Sequence, residues 1–321
     1  MSSNGTTAAP ALPRSVRIRE VGPRDGFQNE PEVIPTERKV ALIDALARTG
    51  LRWLEATSFV RPEVIPQLAD GAAVLDAIDV PAEVSVSVLI PNVRGLENAL
   101  AVLAAHPGER PAFDEVNVFL SASESHNRKN VNRSVQESLR GAREVLASAR
   151  AAGLRCEGVI STAFGCPYEG EVPPERVLGI AAALRDAGAA EIAFGDTTGM
   201  ANPLQVREFF LRARAELADV ELTAHFHNTR GQGLANVLAA LEAGVDSFES
   251  SFGELGGCPV PAGATGNIAT EDLVSMLHEM GVETGVDLPA LLACSAAVQA
   301  ELGRPLGSHT LLAGPVDWRR A

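Results

Sequence analysis

Short apolar runs of strand length alternate along this chain with longer segments whose apolar residues recur at helical spacing. The runs predict strands over 16–21, 53–58, 84–90, 115–120, 155–161, 190–194, 221–226 and 245–250. Helical periodicity fills the intervals: 36–48, 71–78, 94–105, 135–152, 174–187, 204–217, 234–243 and 271–280. The first of these helices has Thr36 as its expected N-cap and Gly50 just beyond its end. A strand followed by a helix, repeated in this order, calls for parallel strands with helical crossovers. The rival to a closed barrel is a doubly wound sheet, which carries a Gly-rich dinucleotide turn after its first strand. That turn here is Gly22-Pro-Arg-Asp-Gly26, which is no such fingerprint. The fold class expected is therefore α/β, a single (β/α)8 TIM barrel. A short C-terminal helical extension over 288–302 and a Gly- and Pro-rich surface tail over 305–321 complete it.

The 321-residue length suits one such barrel, and no linker or low-complexity stretch divides the chain. With 46% hydrophobic and 21% charged residues the chain is globular, neither disordered nor collagen-like. Aromatics are only 4%, so Ala, Val, Leu and Ile must build most of the core. The expected division is a disordered lead-in over 1–13 and the barrel domain over 14–321. The lead-in lacks the basic and apolar regions of a signal peptide, and no apolar run reaches the length of a membrane span. A net charge of −14 disfavours broad contact with nucleic acid. It leaves room for an anionic ligand in a local basic pocket. The four cysteines include no C-x-x-C pair, so reduced thiols and a cytoplasmic location are expected, with no membrane and no nucleic-acid partner.

Barrel enzymes work on the loops after their strands, and polar residues gather there in this chain. Arg24 and Asp25 follow the first strand, while Glu55 and Ser58 lie on the second. Residues 121–130 follow the fourth, Asp196 the sixth, His225 and His227 the seventh, and Cys258 and Asn267 the eighth. Residues i and i+2 of a strand share a face, so His225 and His227 can turn together into the barrel mouth. One buried and one solvated histidine is the plain alternative for a bare H-x-H. Asp25 is the natural anionic partner for a divalent cation, being one strand removed from the seventh, and Asn267 can add a neutral oxygen. Such a set suits Mg²⁺, Mn²⁺ or Co²⁺ and leaves positions open for substrate. Cys258, in Gly-Gly-Cys-Pro, reads as a thiol on a loop that closes over substrate, or else as a small buried hydrophobe. Arg24 offers a fixed cation for a developing oxyanion, or a salt bridge with Glu20 or Glu55. His126, Arg128, Lys129 and Arg133 form a basic patch, read either as a solvated loop or as a dock for a phosphorylated ligand such as coenzyme A. Gln28, Ser58 and Asn127 join Arg24, Arg128 and Lys129 as candidates for substrate or CoA contact.

The stretch from Glu20 to Glu30, EVGPRDGFQNE, resembles the opening motif of the 3-hydroxy-3-methylglutaryl-CoA (HMG-CoA) lyase family. So do EATSFV from Glu55, GCPYEG from Gly165, GDTTG from Gly195, His225-Phe-His227, and Gly256-Gly-Cys-Pro259 followed by Gly266-Asn-Ile-Ala-Thr-Glu-Asp-Leu273. The likeness runs from about 17 to 288. It implies a metal-dependent TIM-barrel lyase, active in leucine degradation, that forms a homodimer. It implies Asp25, His225, His227 and Asn267 as ligands of a divalent metal (Mg²⁺ or Mn²⁺), Arg24 as the catalytic arginine and Cys258 as the catalytic loop thiol. Glu55 and Asp196 match further acidic residues needed near the site, and Glu20 matches a residue that supports Arg24. The chain departs from the usual pattern at Ala193, at Asn228 and at Val260-Pro261, positions that bear on which acyl group is taken. The expected reaction is retro-Claisen cleavage of HMG-CoA, or a close branched 3-hydroxyacyl-CoA thioester, to acetyl-CoA and a 3-oxo acid such as acetoacetate. His225, Cys258 or an acidic neighbour is the expected base. A condensing enzyme or aldolase with the same barrel, and a non-catalytic binding barrel, are the alternatives.

Overall fold

The computed structural model describes residues 12–257 and 266–318. Eight parallel strands close into a barrel in sequence order. They are β1 (Arg17–Glu20), β2 (Trp53–Ser58), β3 (Ser85–Leu89), β4 (Glu115–Ser121), β5 (Arg155–Ser161), β6 (Glu191–Asp196), β7 (Glu221–Phe226) and β8 (Ser247–Ser250). The outer ring comprises α1 (Thr36–Leu46), α2 (Gly71–Ala77), α3 (Val93–Ala105), α5 (Val135–Ala151), α6 (Pro174–Asp186), α7 (Pro203–Glu216), α8 (Gly233–Glu242) and α9 (Thr270–Glu279). The extension is α10 (Leu288–Leu302). The expected strands and helices are all present, most with ends moved by a residue or two.

Four details differ from expectation. Thr36 is the first helical residue rather than the cap, and its hydroxyl donates to Asp70 Oδ2 at 2.7 Å. The segment after β4 holds a helix, α4 (Glu124–Val131), capped by the Ser123 side chain, where a loop was expected. Its composition is too polar to show an apolar face, so periodicity could not reveal it. The tail contains a short helix, α11 (His309–Ala313), whose first turn rests on the Asp272 carboxylate. Of the lead-in, Leu12 packs against the core, and residues 1–11 lie outside the described residues.

Alternation along the strands builds two different cores. Outward positions such as Ile18, Leu54, Val86, Val116, Ile192 and Phe248 are buried against the helices. Inward positions carry Arg19, Glu115, Asn117, Glu157, Glu191 and Glu249, all buried as well. The barrel axis is thus a column of charge, with consequences at both ends. Around β6 and β7 five phenylalanines (164, 194, 209, 210 and 226) interlock, with Phe194 and Phe209 at 4.9 Å in an edge-on pair. Phe226 belongs to this cluster and is wholly buried, which fixes the opposite orientation for His225 and His227 on either side of it.

Candidate active site

The carboxyl ends of β1, β7 and β8 converge on one point. After β1 the chain makes a wide turn over Gly22–Gly26, and Asp25 N–H closes it on the Val21 carbonyl at 2.7 Å. Gly22 is required there, because a Cβ would meet the Phe252 ring at 2.5 Å. The turn aims Arg24 and Asp25 across the mouth. Beyond β7, His227 forms a bridge with Asn267, held by Ile268 N–H on the Phe226 carbonyl at 3.0 Å. Gly256 passes this point at φ +88°, where a Cβ would lie 2.8 Å from Asn267 Nδ2 and 3.0 Å from Asp25 Oδ2. Only glycine permits both that backbone and that approach.

Asp25, His225 and His227 each offer a ligand atom, all within 4.8 Å of one another. The two Nε2 atoms are 3.0 Å apart. Asn267 gives its Nδ2 protons to Asp25 Oδ2 (2.7 Å) and the Leu255 carbonyl (3.0 Å), which leaves its buried Oδ1 without a partner. A buried acceptor left free beside two imidazoles and a carboxylate fits a divalent cation. Burial alone would raise Asp25, but Arg24, His225 and the Asn267 bond hold it below its ordinary value. His227 is pushed down to about 3 by burial and then by His225, so its imidazole is neutral as a ligand must be. Burial works the same way on His225, but there Glu249 prevails and its pKa is raised.

Arg24 is pinned rather than mobile. Its Nε donates to Glu55 Oε2 at 2.6 Å and its Nη1 to Asp25 Oδ1 at 2.6 Å. Glu55 is held in turn by Asn117 Nδ2 at 3.1 Å, and burial carries it up to about 7 despite Arg24. Asp196 accepts the backbone N–H groups of Met200 and Ala201 on Oδ1. Its Oδ2 is buried without a partner, and burial raises the group to about 7. Glu20 does not touch Arg24 directly. It accepts Gly22 N–H (2.7 Å), Phe252 N–H and the Thr270 hydroxyl, and so ties the Arg24 turn to the root of the β8 loop.

The remaining expected residues fall in different places. Gln28 Nε2 donates to Asp25 Oδ1 at 3.0 Å. Ser58, at the end of β2, is buried with a free hydroxyl oxygen. Asn127 is buried and spends its amide on Ser121 N–H, the Arg133 carbonyl and the Ser138 hydroxyl, so it braces the wall instead of facing a ligand. Arg128 pairs with Glu124 at 2.7 Å on the surface. Lys129 lies 3.7 Å over the Tyr168 ring and lines a cavity of about 520 Å³ with Arg61, Arg133 and Asn92. His126 is buried, bonded to the Ser121 hydroxyl. Cys166 is buried under Ser123, whose hydroxyl donates to Sγ at 3.0 Å. Cys258, Val260 and Pro261 lie outside the described residues.

Sequence reasoning missed three groups. Glu249 bonds His225, Asn117 bonds Glu55, and Glu271 accepts Gly253 N–H at 2.9 Å beside the Glu20 anchor. The signal for the first was an acid inside an otherwise buried strand, Ser-Phe-Glu-Ser.

Comparison with known proteins places this geometry. The family model described as HMGL-like matches residues 15–298. The hydroxymethylglutaryl-CoA lyase of Bacillus subtilis is 46% identical over 299 residues, 93% of this chain and 97% of that protein. The cytoplasmic 3-hydroxy-3-methylglutaryl-CoA lyase of Danio rerio is 44% identical, over 93% and 87% of the two chains. Among solved structures, the Bacillus subtilis HMG-CoA lyase superposes with TM-score 0.88 at 45% identity, covering 94% of this chain and 98% of that one. An HMG-CoA lyase from Acinetobacter baumannii in complex with coenzyme A and 3-methylmalate gives TM-score 0.87 at 39% identity, with 95% and 97% covered.

Proposed function

Because the chain belongs to the HMGL-like family, homologous to HMG-CoA lyases over nearly its whole length, we propose that it is a carbon–carbon lyase that cleaves HMG-CoA to acetyl-CoA and acetoacetate. The observation that carries this reading is the meeting of Asp25, His225, His227 and the free Asn267 Oδ1 beside a pinned Arg24 at the barrel mouth. A divalent cation held by those four residues would supply Lewis-acid polarisation and lower the pKa of the substrate hydroxyl. Mg²⁺ and Mn²⁺ both suit two nitrogens and two oxygens.

The chain's own groups do the rest. The C3 hydroxyl loses its proton to a base, and Asp196 Oδ2 is an unpartnered buried oxygen suited to take it. The oxygen's electron pair becomes the second bond of the C3 carbonyl as the C2–C3 bond breaks. The released pair moves onto C2 and the thioester oxygen. Arg24, locked by Glu55 and Asp25, presents its guanidinium to that oxygen without reorganising. A proton then reaches C2, and Cys258, two residues after Gly256 in the sequence, is the proposed donor. The cavity beside Lys129, Arg133 and Arg61 has no Asp or Glu among its described lining residues, and we assign it the phosphate end of coenzyme A. A homodimer, a cytoplasmic location and a place in leucine degradation belong to the same proposal.

The test is acetyl-CoA release from HMG-CoA with Mg²⁺ or Mn²⁺, for the wild type and Cys258→Ala. Turnover lost on chelation and in the variant is expected. Turnover only of a longer branched 3-hydroxyacyl-CoA would retain the mechanism and change the substrate. No metal-dependent cleavage of any such thioester would overturn the lyase reading.

A further inference from the structure

The two histidines of the cluster are not equivalent. His225 Nδ1 lies 2.7 Å from Glu249 Oε2, and both side chains are largely buried. His227 Nδ1 is buried with no partner. The pairing is built into the sheet, since His225 and Glu249 are register partners across β7 and β8. Glu249 is in turn the register partner of Arg19 across β1 and β8. The bonds of that guanidinium go to Glu115, Glu157 and Glu191, below the site.

A carboxylate only accepts, so the proton on this imidazole edge must sit on Nδ1. That leaves the Nε2 lone pair aimed at Asp25 and His227, where a cation would be held. Without Glu249, the Nδ1–H and Nε2–H tautomers would compete and the ring could rotate about its χ2 torsion. We propose that Glu249 is a positioning residue for the metal centre: it fixes the tautomer and the plane of His225 and so sets the affinity of the site for a divalent cation. This rests on the metal-dependent reading given above. Hydrogen bonds behind a ligating histidine typically change metal affinity about 10–100-fold when removed.

The test is Mn²⁺ titration of the full-length protein by calorimetry, for the wild type, Glu249→Leu and Glu249→Gln. Glu249→Leu is expected to raise the Mn²⁺ Kd about 10–100-fold. Glu249→Gln, which retains an acceptor oxygen, is expected to raise it less. Its kcat should return toward the wild-type value as Mn²⁺ is raised, with KM for the thioester little changed. ¹⁵N-correlated spectra of the metal-free protein should show His225 protonated on Nδ1 in the wild type and in Glu249→Gln. Circular dichroism separates a folding failure of Glu249→Leu, in which case the Gln variant and the spectra decide. A wild type that binds Mn²⁺ while both folded variants bind it within about twofold would overturn the inference, as would a His225 Nδ1 without a proton. A wild type that binds no Mn²⁺ would instead overturn the metal-dependent reading.

Discussion

The two ends of the barrel axis are made from the same residue types and do opposite things. At the closed end, Glu115, Glu157 and Glu191 converge on the single guanidinium of Arg19, and all four side chains are buried. Arg155 adds bonds to Glu115 and Glu191, and the Thr223 hydroxyl caps Glu191. At the mouth, Arg24 meets only Glu55 and Asp25, while Asn267 Oδ1, Asp196 Oδ2, Ser58 Oγ and His227 Nδ1 are buried without partners. The closed end keeps an unpartnered buried oxygen too, Glu157 Oε1, but it belongs to a carboxyl that Arg19 already binds, whereas no arginine binds the four groups at the mouth. Arg19 spends its bonds on holding strands together, whereas the mouth is arranged around acceptors that a ligand would complete. Neither buried charge nor a spare oxygen alone therefore marks a site; a cluster of unpartnered acceptors of several kinds that no cation holds does.

The sharpest way to break this contrast is to remove each arginine in turn. Arg19→Met leaves buried Glu157 without a cation, and Glu115 and Glu191 with only Arg155 and Arg17. Breaking a buried pair this way costs about 3–5 kcal/mol, so a large fall in the urea midpoint, or loss of soluble protein, is expected. Arg24→Met should behave differently. Glu55 lies at about 7 already and can take a proton to relieve its own isolation. Its urea midpoint should change much less, while kcat falls about 10²–10³-fold, as for a lost oxyanion donor. Equal losses of stability in the two variants would show that the two ends are one structural network.

Most of the fold was legible in the sequence because one rhythm repeats around the barrel. Strand β5 and helix α10 fall on their expected residues, and β7 does as well. The meeting of Asp25, His225 and His227 was legible because strand alternation and strand-end position suffice to gather them. What stayed hidden depends on distances between strands. Nothing in Ser-Phe-Glu-Ser says that its acid faces His225 rather than Arg19, since both are register partners of Glu249. Asn127 looked like a surface ligand in a basic segment, yet it is buried because α4 turns it inward. Glu20 was expected to support Arg24, and what the sequence did not show is the route: it holds Gly22 of the Arg24 turn and reaches Phe252 and Thr270, because β1 and β8 are neighbours in the closed barrel.

The acids also differ in how they answer pH, and not simply by end, since burial raises Glu157 at the closed end as well. Burial raises Glu20 from about 4.5 to about 8, and raises Glu271 to about 7 beside it. Glu191 is also pushed up by burial, but Arg19 and Arg17 outweigh this and hold it at about 2. A carboxyl raised on folding contributes stability that is full below its ordinary value and is lost as pH climbs through its folded value. The metal-free enzyme should therefore lose thermal stability between pH 5 and 8.5, and Glu191 should contribute nothing to that loss. Glu20→Gln, neutral at every pH, should flatten the slope. A Tm that is constant across this window in the wild type would show that the mouth acids are ionised throughout.

The smallest effect is expected at the rim of the mouth, where the basic patch is exposed. Lys129 faces the Tyr168 ring and the 520 Å³ cavity, whereas Arg128 is already paired with Glu124. A cation held only by a ring face remains available to a phosphate, and one engaged by a carboxylate is less so. Lys129→Ala should raise KM for the CoA thioester about three- to tenfold, with kcat nearly unchanged. The effect should fade as salt is raised, because an exposed contact is screened within about 10 Å at 0.1 M ionic strength. Arg128→Ala should move KM less. If both variants keep the wild-type KM at low salt, the patch is a solvated helix end. The nucleotide would then have to leave the barrel by another side of the mouth.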